Sequence, residues 1–137
     1  MKKITTHIVI QEKPEQVWSV LTDFEKYNEW NPFITSLKGP VKVGNPIEVQ
    51  LPKMSFKPTV LTYTANQELR WVGRLFFKGI FDGEHSFTLK DNGDNSTTFI
   101  HQEQFSGILV PFLGKMLEET KQGFEDFNVS LKKRVES

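Results

Sequence analysis

Two histidines and a glutamate stand on what should be the apolar face of a sheet. In Thr97–Gly107, TTFIHQEQFSG, strand alternation puts Phe99, His101, Glu103 and Phe105 on one side. In FDGEHSFTL the matching side carries Phe81, Gly83, His85, Phe87 and Leu89. Pairing these segments through the turn at Gly93, with their apolar faces together, sets His85 opposite His101 or offset by two residues. Directly opposed Cβ atoms lie about 5 Å apart. His85, His101 and Glu103 are therefore expected to form one polar cluster on an otherwise apolar wall.

Such a cluster suits three chemistries. Its members can satisfy one another, because an unpaired buried carboxylate is costly. They can orient a mostly apolar ligand. They can also tune one another for general acid–base catalysis, with His85, His101 and Glu103 as the candidate groups. Two histidines and a carboxylate are donors that iron or zinc accepts, but a metal needs convergent geometry that spacing does not supply. No metal is expected. No cofactor is expected either, since no glycine-rich phosphate loop follows a strand and opens a helix.

The elements that must hold the cluster can be read in order. A strand from Lys3 to Gln11 puts Ile4, Ile8 and Ile10 on one face and His7 on the exposed one. Pro14 suits the first turn of a helix buried through Val17, Trp18, Val20 and Leu21. TDFE, Thr22–Glu25, has the capping-box pattern and predicts a second short helix, which Pro32 ends. From Ile34 to Gly107 strands alternate with turn signals, as in an antiparallel meander, with Pro58 at an edge or bulge. Leu113, Leu117, Thr120, Phe124, Phe127 and Leu131 then form one stripe of a long amphipathic helix. Glu118, Glu119, Lys121, Gln122, Glu125, Asp126 and Lys132 take its far side. The predicted architecture is α+β: a curved antiparallel sheet wrapped around a C-terminal helix, with two short helices after the first strand.

Glycines at 73, 83 and 123 fall on the inward faces of sheet and helix, where missing side chains would leave a cavity. The apolar stretches LFFKGIF and ILVPFLG are expected to close one end of the core or gate the cavity through Phe77 and Phe112.

Composition bounds what this site can serve. The chain of 137 residues is long enough for one domain, 1–137, and its 17 acidic and 17 basic residues balance. No global field recruits nucleic acid or anionic lipid. The absence of cysteine excludes disulfides, thiolate metal sites and a cysteine nucleophile. The N-terminus has no signal-peptide pattern, and no apolar run approaches the roughly 20 residues of a membrane helix. A cytoplasmic monomer or weak homodimer without integral membrane association is expected. The 12 phenylalanines against 2 tyrosines suit a dry interior or a pocket for apolar ligands.

The order strand, two short helices, meander and long helix resembles the helix-grip superfamily. That group includes START lipid-transfer domains, the birch pollen allergen family, polyketide cyclases and coenzyme Q-binding proteins. Within it the chain is similar to small bacterial SRPBCC proteins of the polyketide cyclase/dehydrase type. The resemblance rests on PEQVWSVLTDFEKYNEWNPF, ELRWVG, GIFDGEHSFTL, FIHQEQFSG and GFEDFNVSLKKRVE, and it covers the whole chain. It implies an apolar cavity between sheet and helix, and no universal catalytic residues. By position, Trp30, Trp71, His85, His101, Glu103, Gly123 and Phe127 are the expected cavity-lining residues. Binding or carriage of a small hydrophobic molecule, such as a lipid, isoprenoid or aromatic polyketide, is the leading expectation. A cyclase or dehydratase using the same cluster is the alternative, and a co-chaperone-like protein-interaction module a further one.

Overall fold

The computed structural model describes residues 2–75 and 81–137. Strand β1 (Lys2–Ile10) buries Ile4, Thr6 and Ile10 and leaves His7 exposed. Helix α1 (Pro14–Leu21) begins on proline, whose fixed φ suits a first helical turn, and buries Val17, Trp18 and Leu21. The capping box expected in Thr22–Glu25 does not form. Thr22 Oγ1 instead donates to the Trp18 carbonyl at 2.7 Å, satisfying a C-terminal acceptor of α1. A 3₁₀ turn (Phe24–Lys26) without a side-chain cap leads into the single-turn helix α2 (Tyr27–Trp30). Beyond it, Asn31 Oδ1 accepts from the backbone N–H groups of Phe33 and Ile34 at 3.0 and 2.8 Å, turning the chain around Pro32.

The strand-rich stretch then divides into two antiparallel sheets rather than one meander. β2 (Ser36–Lys38), β3 (Glu48–Gln50) and β4 (Ser55–Phe56) make a small sheet of three strands. β5 (Thr59–Thr64), β6 (Glu68–Leu75), β7 (Phe81–Asp91) and β8 (Thr97–Ser106) join β1 in a five-stranded sheet ordered β1-β8-β7-β6-β5. Pro46 and Pro52 flank β3 two residues beyond either end, and Pro58 stands immediately before β5, positions where a missing backbone N–H is tolerated. β5 also shifts register between Val60 and Thr62.

Helix α3 (Gly114–Glu136) crosses the concave face of the larger sheet and buries Leu117, Phe124, Phe127, Asn128 and Leu131. The fold is the helix-grip type of α+β structure. The larger apolar cluster joins α1, the small sheet and the C-terminal half of α3 through residues such as Leu21, Val49, Trp71 and Phe127. A smaller one gathers Ile4, Phe81, Phe105, Val110, Leu117 and Phe124, and Phe33 packs against both. Val110, in the 3₁₀ turn Val110–Phe112, closes that end of the core, while Phe112 is 81% exposed. Phe77 lies outside the described residues.

Candidate functional site

A cavity of about 430 Å³ opens between the small sheet, strands β6–β8 and α3. Its apolar wall is made by Phe33, Phe56, Trp71, Phe81 and Phe105, with Met116 from the helix. His85 and Glu103 are the polar side chains set into the sheet side of this wall. The inward glycines act as seats rather than as empty space. A Cβ on Gly73 would stand 3.1 Å from the Phe56 ring, and one on Gly123 would stand 2.5 Å from the Phe33 ring. At Gly83 it would collide with the Glu103 carboxylate. All three glycines line the cavity, as their inward placement led one to expect, and the space above each is shared with a neighbouring ring or carboxylate.

The sheet register settles the pairing that spacing left open. His85 stands opposite Glu103, and His101 opposite Phe87. His85 Nδ1 meets Glu103 Oε1 at 2.6 Å, and His85 Nε2 meets His101 Nε2 at 2.8 Å. Behind them His101 Nδ1 lies 3.0 Å from Asn128 Oδ1, and Asn128 Nδ2 donates to Thr6 Oγ1 at 2.8 Å. The Thr6 hydroxyl in turn donates to the His101 carbonyl at 2.9 Å. His85 stacks on Trp71 with ring centroids 4.9 Å apart, and His101 on Phe124 at 4.0 Å.

These contacts define a direction. A carbonyl cannot donate, so Thr6 spends its proton on His101 O and must accept from the Asn128 amide. The other face of that amide, Oδ1, therefore accepts from His101 Nδ1–H. With His101 neutral, its Nε2 is a bare acceptor, so His85 Nε2–H donates to it. One contact remains: His85 Nδ1 against Glu103 Oε1. Two bare lone pairs would repel at that distance, so one proton lies between them. The pair is either imidazolium with carboxylate or imidazole with carboxylic acid, and it is neutral overall in both forms.

Burial, with a smaller contribution from the His85 charge, holds the His101 imidazole well below its ordinary protonation range; its hydrogen bond to Asn128 opposes the shift only in part. The unfolded chain protonates this histidine near pH 6.5 while the native state does not, so below about pH 6.5 the unfolded state binds more protons. Stability should therefore be complete above that value and fall as the pH drops through it, by up to about 1.4 kcal/mol per pH unit. Urea unfolding from about pH 8 to about pH 5 checks this. His101→Gln should flatten the acid limb; an unchanged slope would remove His101 as its cause.

Of the residues expected to line the cavity, Trp71, His85, Glu103 and Gly123 do so. His101, Trp30 and Phe127 do not. His101 is fully buried behind His85, and Phe127 is fully buried core. Trp30 is half-buried and packs edge-on against Phe127 and Tyr27. Phe112 lies outside the lining as well. Conversely, Glu119, Gln122 and Asp126, read as the solvent side of the helix, rim the cavity together with Lys53. Asn128 and Thr6 were not anticipated, although Asn128 lies four residues beyond Phe124 and three before Leu131, which is stripe spacing. Among the described residues, no group of three or more His, Cys, Asp or Glu side chains is placed to hold a metal ion, and no helix is long and apolar enough to cross a membrane.

Solved structures share this architecture at low sequence identity. Protein MLL2253 from Mesorhizobium loti is 19% identical with a TM-score of 0.79, over 96% of this chain and 95% of that one. A START superfamily protein from Mycobacterium smegmatis is 20% identical with a TM-score of 0.74, over 98% of this chain and 97% of that one. DynU16, a protein of the dynemicin biosynthetic locus, is 20% identical with a TM-score of 0.78; all of this chain matches 48% of that one. These likenesses establish the fold. Among curated proteins none matches the sequence. The family described as polyketide cyclase / dehydrase and lipid transport matches residues 1–136, and the chain belongs to it.

Proposed function

We propose that residues 1–137 act as one domain that binds and carries a small hydrophobic molecule in the cavity between sheet and α3. The observation that carries this reading is the cavity itself: about 430 Å³, walled by aromatic rings, with His85 and Glu103 as the polar groups on its sheet side. Small-molecule sites have this composition, an apolar enclosure with a few convergent polar groups. A thermal-shift panel of fatty alcohols and acids, isoprenoid quinones and hydroxylated aromatic polyketides tests it. A bound compound at about 100 times its Kd should stabilise the protein by about 2.7 kcal/mol. Gly123→Leu should abolish the response, because the new side chain displaces the Phe33 ring into the cavity. Retained binding in that variant would put the ligand elsewhere, and no response to any compound would count against the cavity reading.

A second reading is supported by the proton held between His85 and Glu103 at the cavity wall. A pair that is neutral with the proton on either partner has the character of a general acid–base couple. A cyclase or dehydratase would use it on a bound polyketide-like substrate. Glu103→Gln separates the two readings: a carrier retains most of its affinity, whereas an enzyme retains binding and loses turnover.

A further inference from the structure

We infer that the ligand of this cavity presents a hydrogen-bond donor, an O–H or N–H group, to Glu103 Oε2, and that the cavity selects against carboxylates. This rests on the cavity-binding reading and narrows it to a chemical class: apolar molecules ending in a hydroxyl or amine.

The direction of the hydrogen-bond chain carries the argument. Glu103 Oε1 is committed to the proton it shares with His85. Whichever partner holds that proton, Oε2 carries only lone pairs. This oxygen lies over Gly83 on the cavity wall, and no described residue donates to it. The Glu103 side chain is 17% exposed against 4% for His85, so of the two polar groups on the wall the carboxyl is the more open to what enters. His85 has no proton to offer, because its Nε2–H is spent on His101.

The other hydroxyl and charged groups of the wall repeat this polarity. Thr120 spends its hydroxyl proton on the Met116 carbonyl at 2.8 Å, leaving an acceptor. At the rim, Gln122 donates its amide to Asp126 at 2.9 Å, and Lys53 faces Glu119 at 3.8 Å. With the His85–Glu103 pair neutral overall and Glu119 facing Lys53, Asp126 leaves the wall with negative charge in excess. A ligand carboxylate entering this site meets lone pairs and negative charge. A hydroxyl or amine completes the acceptor left open on Glu103.

The test uses three probes of one carbon skeleton: 2-naphthol, 2-methoxynaphthalene and 2-naphthoate, titrated calorimetrically at neutral pH. 2-Naphthol should bind about tenfold or more tightly than the methyl ether, as expected for a hydrogen bond to a charged or polarised acceptor. 2-Naphthoate should bind most weakly. In Glu103→Leu the first two should converge. In Glu103→Gln the preference for 2-naphthol should persist, because the new amide can donate to His85 Nδ1 and keep its carbonyl over Gly83. Equal binding of 2-naphthol and its ether by the native protein would overturn the inference while leaving the cavity reading intact. So would tightest binding of 2-naphthoate, or a naphthol preference that survives Glu103→Leu. Failure of all three probes and of the wider panel would overturn the cavity reading and this inference together.

Discussion

Phe124→Ala should lower the free energy of unfolding by about 3–5 kcal/mol, the upper range for emptying a phenylalanine site in a packed core. Phe124 is fully buried, and four groups lean on it from different elements. Its ring stacks on His101 at 4.0 Å and meets His85 edge-on at 5.0 Å. On its other flank it packs against Phe33 at 5.5 Å and belongs to the cluster closed by Val110. The site cannot collapse cheaply, because both imidazoles are tied in place by hydrogen bonds. Water entering the vacated space would reach His101 and relieve the burial that keeps it neutral. Urea denaturation with wild type as reference measures the loss. Phe112→Ala provides the contrast: at 81% exposure its effect should stay within about 0.5 kcal/mol. A loss below about 1.5 kcal/mol for Phe124→Ala would mean that the core re-packs around the gap.

Asn128→Leu should cost about 2–4 kcal/mol with little change in side-chain volume. The amide satisfies His101 Nδ1–H and donates to Thr6, and leucine does neither. A buried N–H without an acceptor loses the full cost of its desolvation, which is why the expected penalty exceeds the worth of an average hydrogen bond. The substitution also removes the anchor that sets the direction of the chain. In the native protein the His101 proton sits on Nδ1. Without Asn128 it gains by moving to Nε2 and donating to His85, whose Nε2 proton is then released to solvent while the proton shared with Glu103 stays in place. Nitrogen NMR of the two imidazoles reads this directly: the native protein should show the Nδ1–H tautomer of His101 and the variant the Nε2–H tautomer. An unchanged tautomer would show that something other than Asn128 holds it.

How much of this was legible depended on the range of the forces involved. The inward faces of β6–β8 followed from alternation alone, because a period of two leaves a half-buried strand no other choice. The offset between His85 and His101 was confined to two registers, since the length of the turn around Gly93 and not the face pattern decides between them. Asn128 and Thr6 escaped notice for one reason: each was a polar residue on a face recognised by its apolar members. The division of the strands into two sheets is a matter of which strands pair at long range, and alternation within each strand does not encode that. Phe33 and Phe56 reach the cavity by tertiary packing, which places rings from distant segments over Gly123 and Gly73. No local periodicity encodes that placement.

The pairing of β1 with β8 has a consequence for how the molecule assembles. Strand neighbours elsewhere in the larger sheet are consecutive in the chain, so hairpins can form as soon as they are made. β1 must wait. Its partner lies nearly one hundred residues downstream: Thr6 reaches His101 across 95 positions and Asn128 across 122. Until both arrive, β1 has an unpaired edge and an uncovered isoleucine face. Contacts of such long range are slow to form and leave aggregation-prone surface open meanwhile. The hydrogen-bond chain through Thr6, His101 and Asn128 is therefore expected to close late, since it joins β1 to segments far along the sequence.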